Sequence, residues 1–170
     1  GEDSFSDARA RGLELFYGAA GCAACHSGPL LTDFDFHAMG QPQLGPGKAA
    51  RFERHARDEG RFRVTGQEAD RFAFRTPSLR NVALTGPWGH SGAFGDLARF
   101  VAAHADPRAA LRSYDRSGVV LPEFEAADWR IMDDPSEVAA ISTAVEVEPV
   151  TIEAQDVSDI IAFMHSLTDP

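Results

Sequence analysis

Cys22-Ala23-Ala24-Cys25-His26 is the stretch of this sequence whose residue types and spacing can do chemistry. Two thiols three positions apart can reach both vinyl groups of one porphyrin and close two thioether bonds. A histidine directly after the second thiol then lies under the iron as an axial ligand. The spacing is that of a c-type haem attachment site. The chain has 2 cysteines in all, so no thiol is left over for a disulfide, a zinc site or a nucleophile. A zinc ribbon would need a second ligand pair of similar spacing. A thioredoxin-like redox pair would need a βαβ setting, and the flanks here are rich in Gly and Ala.

A haem iron takes one more axial ligand, and that ligand decides the chemistry. An open position binds peroxide or other small molecules, whereas methionine raises the potential relative to a second histidine. His37, His55, His90, His104, His165, Met39, Met132, Met164 and Tyr114 are the candidates, and spacing alone does not rank them. His55 sits in the charged run from Arg51 to Arg63 and reads as solvated, and Met164 lies on an apolar helix stripe. Arg75 and Arg80 offer guanidinium forks suited to haem propionates, or to surface ion pairs. Phe34, Phe36, Phe72 and Phe74 read as packing. Trp88 and Trp129 could host a radical, although packing is the commoner use of a tryptophan.

The elements that must position these groups are mainly helical. Ser6 can cap a first helix with Ala10, Leu13, Phe16 and Tyr17 as its apolar positions and Gly18 as its end. Residues 40–47 are punctuated by Gly and Pro and read as loop. Phe94 to Ala103 reads as a helix with Phe94, Leu97, Phe100 and Val101 on one face. Leu121 to Pro149 reads as irregular and acidic, with Trp129 and Ile131 as anchors. Val157, Ile160, Ile161, Met164 and Leu167 form the apolar stripe of a final helix. No alternating pattern of useful length announces a strand. The expected fold is all-α with long loops packed around the cofactor.

The bulk numbers narrow the partners. A chain of 170 residues with 44% hydrophobic residues can bury one core. Its 16 basic and 26 acidic residues leave a net charge of −10, which argues against nucleic acid and anionic membranes. It suits a small redox partner with a basic docking patch. No apolar run approaches the roughly 18 residues a membrane span needs, so no membrane insertion is expected. No signal peptide is legible, and Gly1-Glu2-Asp3-Ser4 reads as a processed or trimmed start. Covalent haem attachment normally follows export, so the expected compartment is the bacterial periplasm.

Several blocks together carry a more specific resemblance. Gly12-Leu13-Glu14-Leu15-Phe16 leads into the haem motif, followed by Leu31-Thr32-Asp33, Phe36-His37, Gly60-Arg61 and Val64-Thr65-Gly66. Then comes Phe74-Arg75-Thr76-Pro77-Ser78-Leu79-Arg80-Asn81-Val82-Ala83-Leu84-Thr85, continuing as Gly86-Pro87-Trp88-Gly89-His90-Ser91-Gly92-Ala93-Phe94. In this order the chain resembles the C-terminal haem half of the bacterial di-haem cytochrome c peroxidase and MauG-like family, from about Gly12 to about Leu167.

The resemblance implies a class I cytochrome c-like haem domain spanning 1–170. Its haem-binding core would run over about 6–104, an irregular extension over about 105–154 and a C-terminal helix over about 155–168. Cys22 and Cys25 would hold one haem c and His26 would be the proximal iron ligand. The distal ligand of this haem is Met in the family's peroxidases and Tyr in MauG-like members. That position falls on His104, which implies a His/His haem. The carbonyls of Thr85 and Pro87 match positions that bind calcium between two haems, a chemically reasonable use of backbone oxygens. His90 matches a histidine behind or beside the haem, and Trp88 stands where the family usually has Tyr. The family works with two haems, of which the N-terminal one reacts with peroxide, and this chain carries one motif. The implied function is the electron-transfer half of a di-haem oxidoreductase, partnered by an N-terminal haem domain or second haem chain. A stand-alone one-haem electron carrier, and a one-haem peroxidase or gas-ligand sensor with His104 unbound, are the alternatives.

Overall fold

A computed structural model describes residues 7–44, 55–120 and 127–169. Seven α-helices appear among them: α1 (Asp7–Tyr17), α2 (Phe62–Thr65), α3 (Leu97–Ala105), α4 (Pro107–Arg112), α5 (Arg130–Asp133), α6 (Pro135–Thr143) and α7 (Ala154–His165). The only sheet among the described residues is a two-residue antiparallel ladder, β1 (Phe36–His37) with β2 (Phe74–Arg75), in which Phe36 pairs with Arg75 and His37 with Phe74. The all-α reading with long loops therefore holds.

The main core lies where α1 crosses α7. Phe16, Val157, Ile160, Phe163 and Met164 pack there with Leu31, Leu79, Val82 and Val101. The crossing is close because Gly12 has no side chain: a Cβ there would stand 1.9 Å from the Asp159 carbonyl oxygen. The buried face of α1 is therefore Gly12 and Phe16, while Leu13 and Tyr17, expected on it, are exposed. Arg11 donates to the Asp159 carboxylate at 2.8 and 3.1 Å and ties the same two helices. In α7 the backbone N–H of Glu153 donates to the Asp156 carboxylate at 2.8 Å, half of a capping box. Phe163, outside the expected stripe, is buried, and Leu167 lies past the helix end.

The stretch read as irregular carries α5 and α6, and α4 precedes it. Asp106 caps α4 and Asp134 caps α6, each followed by Pro at the first helical position. An Asp cap followed by Pro at that position is a standard helix start. Leu111, Ile131 and Ile141 from these helices close a second small core with Phe72. Ile131 is the anchor expected there.

Two further expectations shift. The helix read from Phe94 begins at Leu97, because the Asp96 carboxylate accepts from the Arg99 N–H and fixes the start. Residues 55–62, read as solvated, are half-buried: His55 lies 3.9 Å from Glu59, and Arg57 lies 3.5 Å from Glu137. Ser6, residues 45–47 of the Gly/Pro loop and 51–54 of the charged run lie outside the described residues. Among the described residues no helix is long and apolar enough to cross a membrane.

Candidate haem site

The haem motif forms one tight helical turn. Gly21, with φ of +69°, starts it, and the N–H groups of Cys25 and His26 both return to the Cys22 carbonyl at 3.3 and 3.0 Å. One turn thus carries both thiols and the imidazole. No disulfide joins the cysteines. Burial pushes the Cys22 thiol up to about 11 and raises Cys25 as well, with Asp33 adding to the second shift. Both thiols thus hold their protons more firmly than a free cysteine. Cys22 packs against the main core, where an apolar macrocycle would lie.

The loop after the motif folds back to hold His26. Its Nδ1 lies 3.1 Å from the Leu31 carbonyl oxygen. Leu31 is buried with φ of +51°, an unusual value for a non-glycine residue. Thr32 N–H donates to the Ser27 carbonyl at 2.9 Å and Asp33 N–H to the Cys25 carbonyl at 2.8 Å. The buried Thr32 hydroxyl donates to the Thr76 carbonyl at 2.8 Å and joins this loop to the segment after β2.

His104 stands on α3. Its Nδ1 lies 2.8 Å from the Phe100 carbonyl oxygen one turn earlier, and the Phe100 ring meets its edge at 4.5 Å. Burial lowers the pKa of both His26 and His104, and charge on His26 would lower His104 further. In both rings Nδ1 makes a backbone hydrogen bond, so Nε2 would be the nitrogen offered to a metal. A neutral imidazole fixed through its other nitrogen is how a metal-ligating histidine is oriented. The donor set therefore fits a c-type haem.

Most of the other candidates for the sixth position are engaged elsewhere, while Met39 is half-buried with, among the described residues, only its carbonyl in a hydrogen bond, from Gln41. His37 lies between Asp33 at 2.9 Å and Glu146 at 3.4 Å. His90 pairs with Asp58 at 3.3 Å and stacks on Phe74 with centroids 4.0 Å apart. Met164 is in the main core and Met132 packs against the second. Tyr114 donates its hydroxyl to the Ala93 carbonyl. His165 is exposed at the end of α7. Asp58 and Gln43, which brace His90, were not visible as site residues. The Gln43 side chain exchanges 2.8 Å hydrogen bonds with the Asp58 backbone N–H and carbonyl, across a gap of fifteen residues. The Asp33–His37–Glu146 cluster beside Cys25 was likewise unseen.

Arg75 is exposed with its guanidinium 5.1 Å over the Phe34 ring, whereas Arg80 is paired with Asp169. Thr85 and Pro87 lie on an exposed loop. Trp88 donates Nε1–H to the Val82 carbonyl at 2.8 Å and its backbone pairs with Phe94. Two free thiols and the His26 imidazole on one helical turn have the donor set of a c-type haem domain.

Comparison with known proteins shows what the chain is similar to. The chain is 30% identical over 181 residues to the cytochrome-c peroxidase IdrP1 of Denitromonas iodatirespirans, covering 94% of this chain and 40% of that one. It is 32% identical over 160 residues to the methylamine utilization protein MauG of Methylorubrum extorquens, covering 92% and 33%. The crystal structure of the diheme peroxidase BthA from Burkholderia thailandensis superposes with a TM-score of 0.64 at 26% identity, over 96% of this chain and 43% of that one. No family model matches. The chain is a homologue of the cytochrome c peroxidases and MauG-like proteins and corresponds to their C-terminal half. It spans 40% and 33% of the length of the two curated relatives named above.

Proposed function

We propose that this chain is the electron-transfer half of a di-haem peroxidase-like oxidoreductase, with Cys22 and Cys25 bonded to one haem c and His26 and His104 as its two axial ligands. The observation that carries the reading is the matched tethering of two imidazoles. Each Nδ1 is held by a backbone carbonyl, Leu31 for His26 and Phe100 for His104, so in each ring Nε2 is the nitrogen offered to iron. A bound haem supplies one-electron chemistry at iron.

The residues around it set the terms of that chemistry. With a haem bound, His26 and His104 would both hold its iron, and His104 would keep peroxide and small ligands away from it, leaving peroxide reduction to the other haem domain. Two neutral nitrogen donors place the potential below that of a His/Met relative. Trp88 walls the pocket, and His90, paired with Asp58, holds Phe74 in place by stacking. Arg75, in no ion pair among the described residues and with its guanidinium over the Phe34 ring, is the one better placed to meet a propionate. The carbonyls of Thr85 and Pro87 supply part of a calcium shell completed by the N-terminal haem domain. A small electron-transfer protein with a basic patch is the donor suited to a charge of −10. The compartment is the periplasm.

Low-temperature EPR of the ferric, haem-loaded protein tests the ligand set. A low-spin signal of the bis-histidine type is expected, and His104→Ala should turn it high-spin. A high-spin signal in the unaltered protein would mean an open iron and a catalytic role for this haem.

A further inference from the structure

Behind His104 a run of aromatic rings leads away from the haem site. The Phe100 ring meets the His104 ring edge-on with centroids 4.5 Å apart. Phe94 follows at 5.2 Å, Tyr114 at 5.5 Å from Phe94, and Trp129 at 6.2 Å from Tyr114. Every step falls in the range of direct ring contact. Phe94, Phe100, Tyr114 and Trp129 belong to neither apolar cluster, so filling a core does not account for the series. Gly89 makes room for it: a Cβ there would stand 2.9 Å from Phe94 and 3.2 Å from Phe100.

We propose that Trp129 is a redox port, at which one electron passes between its indole and the haem held by His104 through the rings of Tyr114, Phe94 and Phe100. The inference rests on His104 as haem ligand. Trp129 is half-buried, and its neighbour Arg116, with its guanidinium 4.7 Å over the ring, is 41% exposed and pairs with Asp133 at 2.7 Å. The outer end of the run therefore reaches the surface. Arg116 makes removal of an electron from the ring harder, and Asp133 offsets that charge. Tyr114 serves as a bridge only. Its hydroxyl donates to the Ala93 carbonyl, which cannot accept the proton that an oxidised phenol must shed, and burial holds that proton with a pKa of about 12.

The step balances without bond changes. A strong one-electron oxidant of the tris-bipyridine ruthenium(III) class takes an electron from the Trp129 indole and becomes ruthenium(II). With a reduced haem bound, the rings of Tyr114, Phe94 and Phe100 would carry one electron back to the indole, whose Nε1 keeps its proton.

Flash photolysis of the ferrous, haem-loaded protein with photogenerated ruthenium(III) tris-bipyridine reads both ends. The native protein should show a transient indole-radical absorption that decays as the ferrous haem bands are lost. Trp129→Phe should remove the transient and slow haem oxidation roughly tenfold. Tyr114→Leu should keep the transient and slow its decay by a similar factor. Tyr17→Phe, which removes the other phenol at the surface, should change neither. Native kinetics in Trp129→Phe, with EPR of the same sample still low-spin, overturn the port and leave the ligand assignment standing. A high-spin spectrum in the unaltered protein overturns both.

Discussion

His26 is held by Leu31, whose carbonyl oxygen accepts from the ring at 3.1 Å while its own backbone sits at φ +51°. A backbone conformation that L-residues seldom adopt costs of order 1–3 kcal/mol and persists where its surroundings over-determine it. Here those surroundings are the buried Leu31 side chain on the main core and the Thr32–Thr76 hydrogen bond.

Leu31→Ala keeps the carbonyl and removes the anchor. The expected cost is about 2–4 kcal/mol in chemical denaturation, the usual penalty of a large-to-small core change. The low-spin EPR signal should survive below the midpoint, because backbone and not side chain holds the ring.

Gly12→Ala places a methyl carbon 1.9 Å from the Asp159 carbonyl oxygen, and both helices must separate. Overpacking of this kind costs about 1–3 kcal/mol or more. Urea denaturation of Gly12→Ala beside Tyr17→Phe, an exposed site on the same helix, separates the crossing from any general effect on α1.

The Asp33–His37–Glu146 cluster makes stability pH-dependent. Burial opposes ionisation of Asp33, but hydrogen bonds from His37, Asp35 and Thr76 outweigh it and hold the carboxyl at about 2. Burial likewise opposes the charge on His37, while Asp33 and Glu146 raise it above its ordinary value. Stability from Asp33 is present above its unfolded value of ~3.9 and lost as pH falls towards 2. Stability from His37 is complete below ~6.5 and lost as pH rises through its raised value. A double-mutant cycle of Asp33→Asn and His37→Gln should give a coupling of about 0.5–1 kcal/mol at pH 5.5, screened by solvent. The coupling should shrink by pH 8.5. A coupling that grows with pH would falsify the pairing.

Asp134→Ala removes the carboxylate that accepts from the Ser136 N–H at 2.8 Å. Loss of a helix cap costs about 1 kcal/mol. The second core with Phe72 should loosen, read as faster amide exchange in α6 and little change in α7.

How much of this was readable in the sequence depended on how local each signal is. Cys22 to His26 and the stripe of α7 are local signals; the first folds as one turn, and Val157, Ile160 and Met164 of the second are buried, with Phe163 added and Leu167 beyond the helix end. The starts of α4 and α6 were equally local, since Asp106-Pro107 and Asp134-Pro135 are cap-and-Pro pairs, and weighing that signal would have found both helices. The buried face of α1 was not readable. It depends on Gly12 meeting α7, whose backbone is brought there only by the folded chain. The bracing of His90 by Asp58 and Gln43, and the second core of Phe72, Leu111, Ile131 and Ile141, join segments far apart in sequence with no pattern to link them. His104 came from the order of the motif blocks; the Phe100 carbonyl that orients it is a helix contact one turn away.

The crossing of α1 over α7 also orders events in time. As the chain is made, α1 and the Cys22–His26 turn appear long before α7, the partner that buries Phe16 against Phe163 at a centroid distance of 5.1 Å. Until that last helix arrives, Cys22 lacks Val157, Ile160, Phe163 and Met164, the part of its apolar surroundings that α7 supplies. The last helix to be made is thus the one that closes the core over the first.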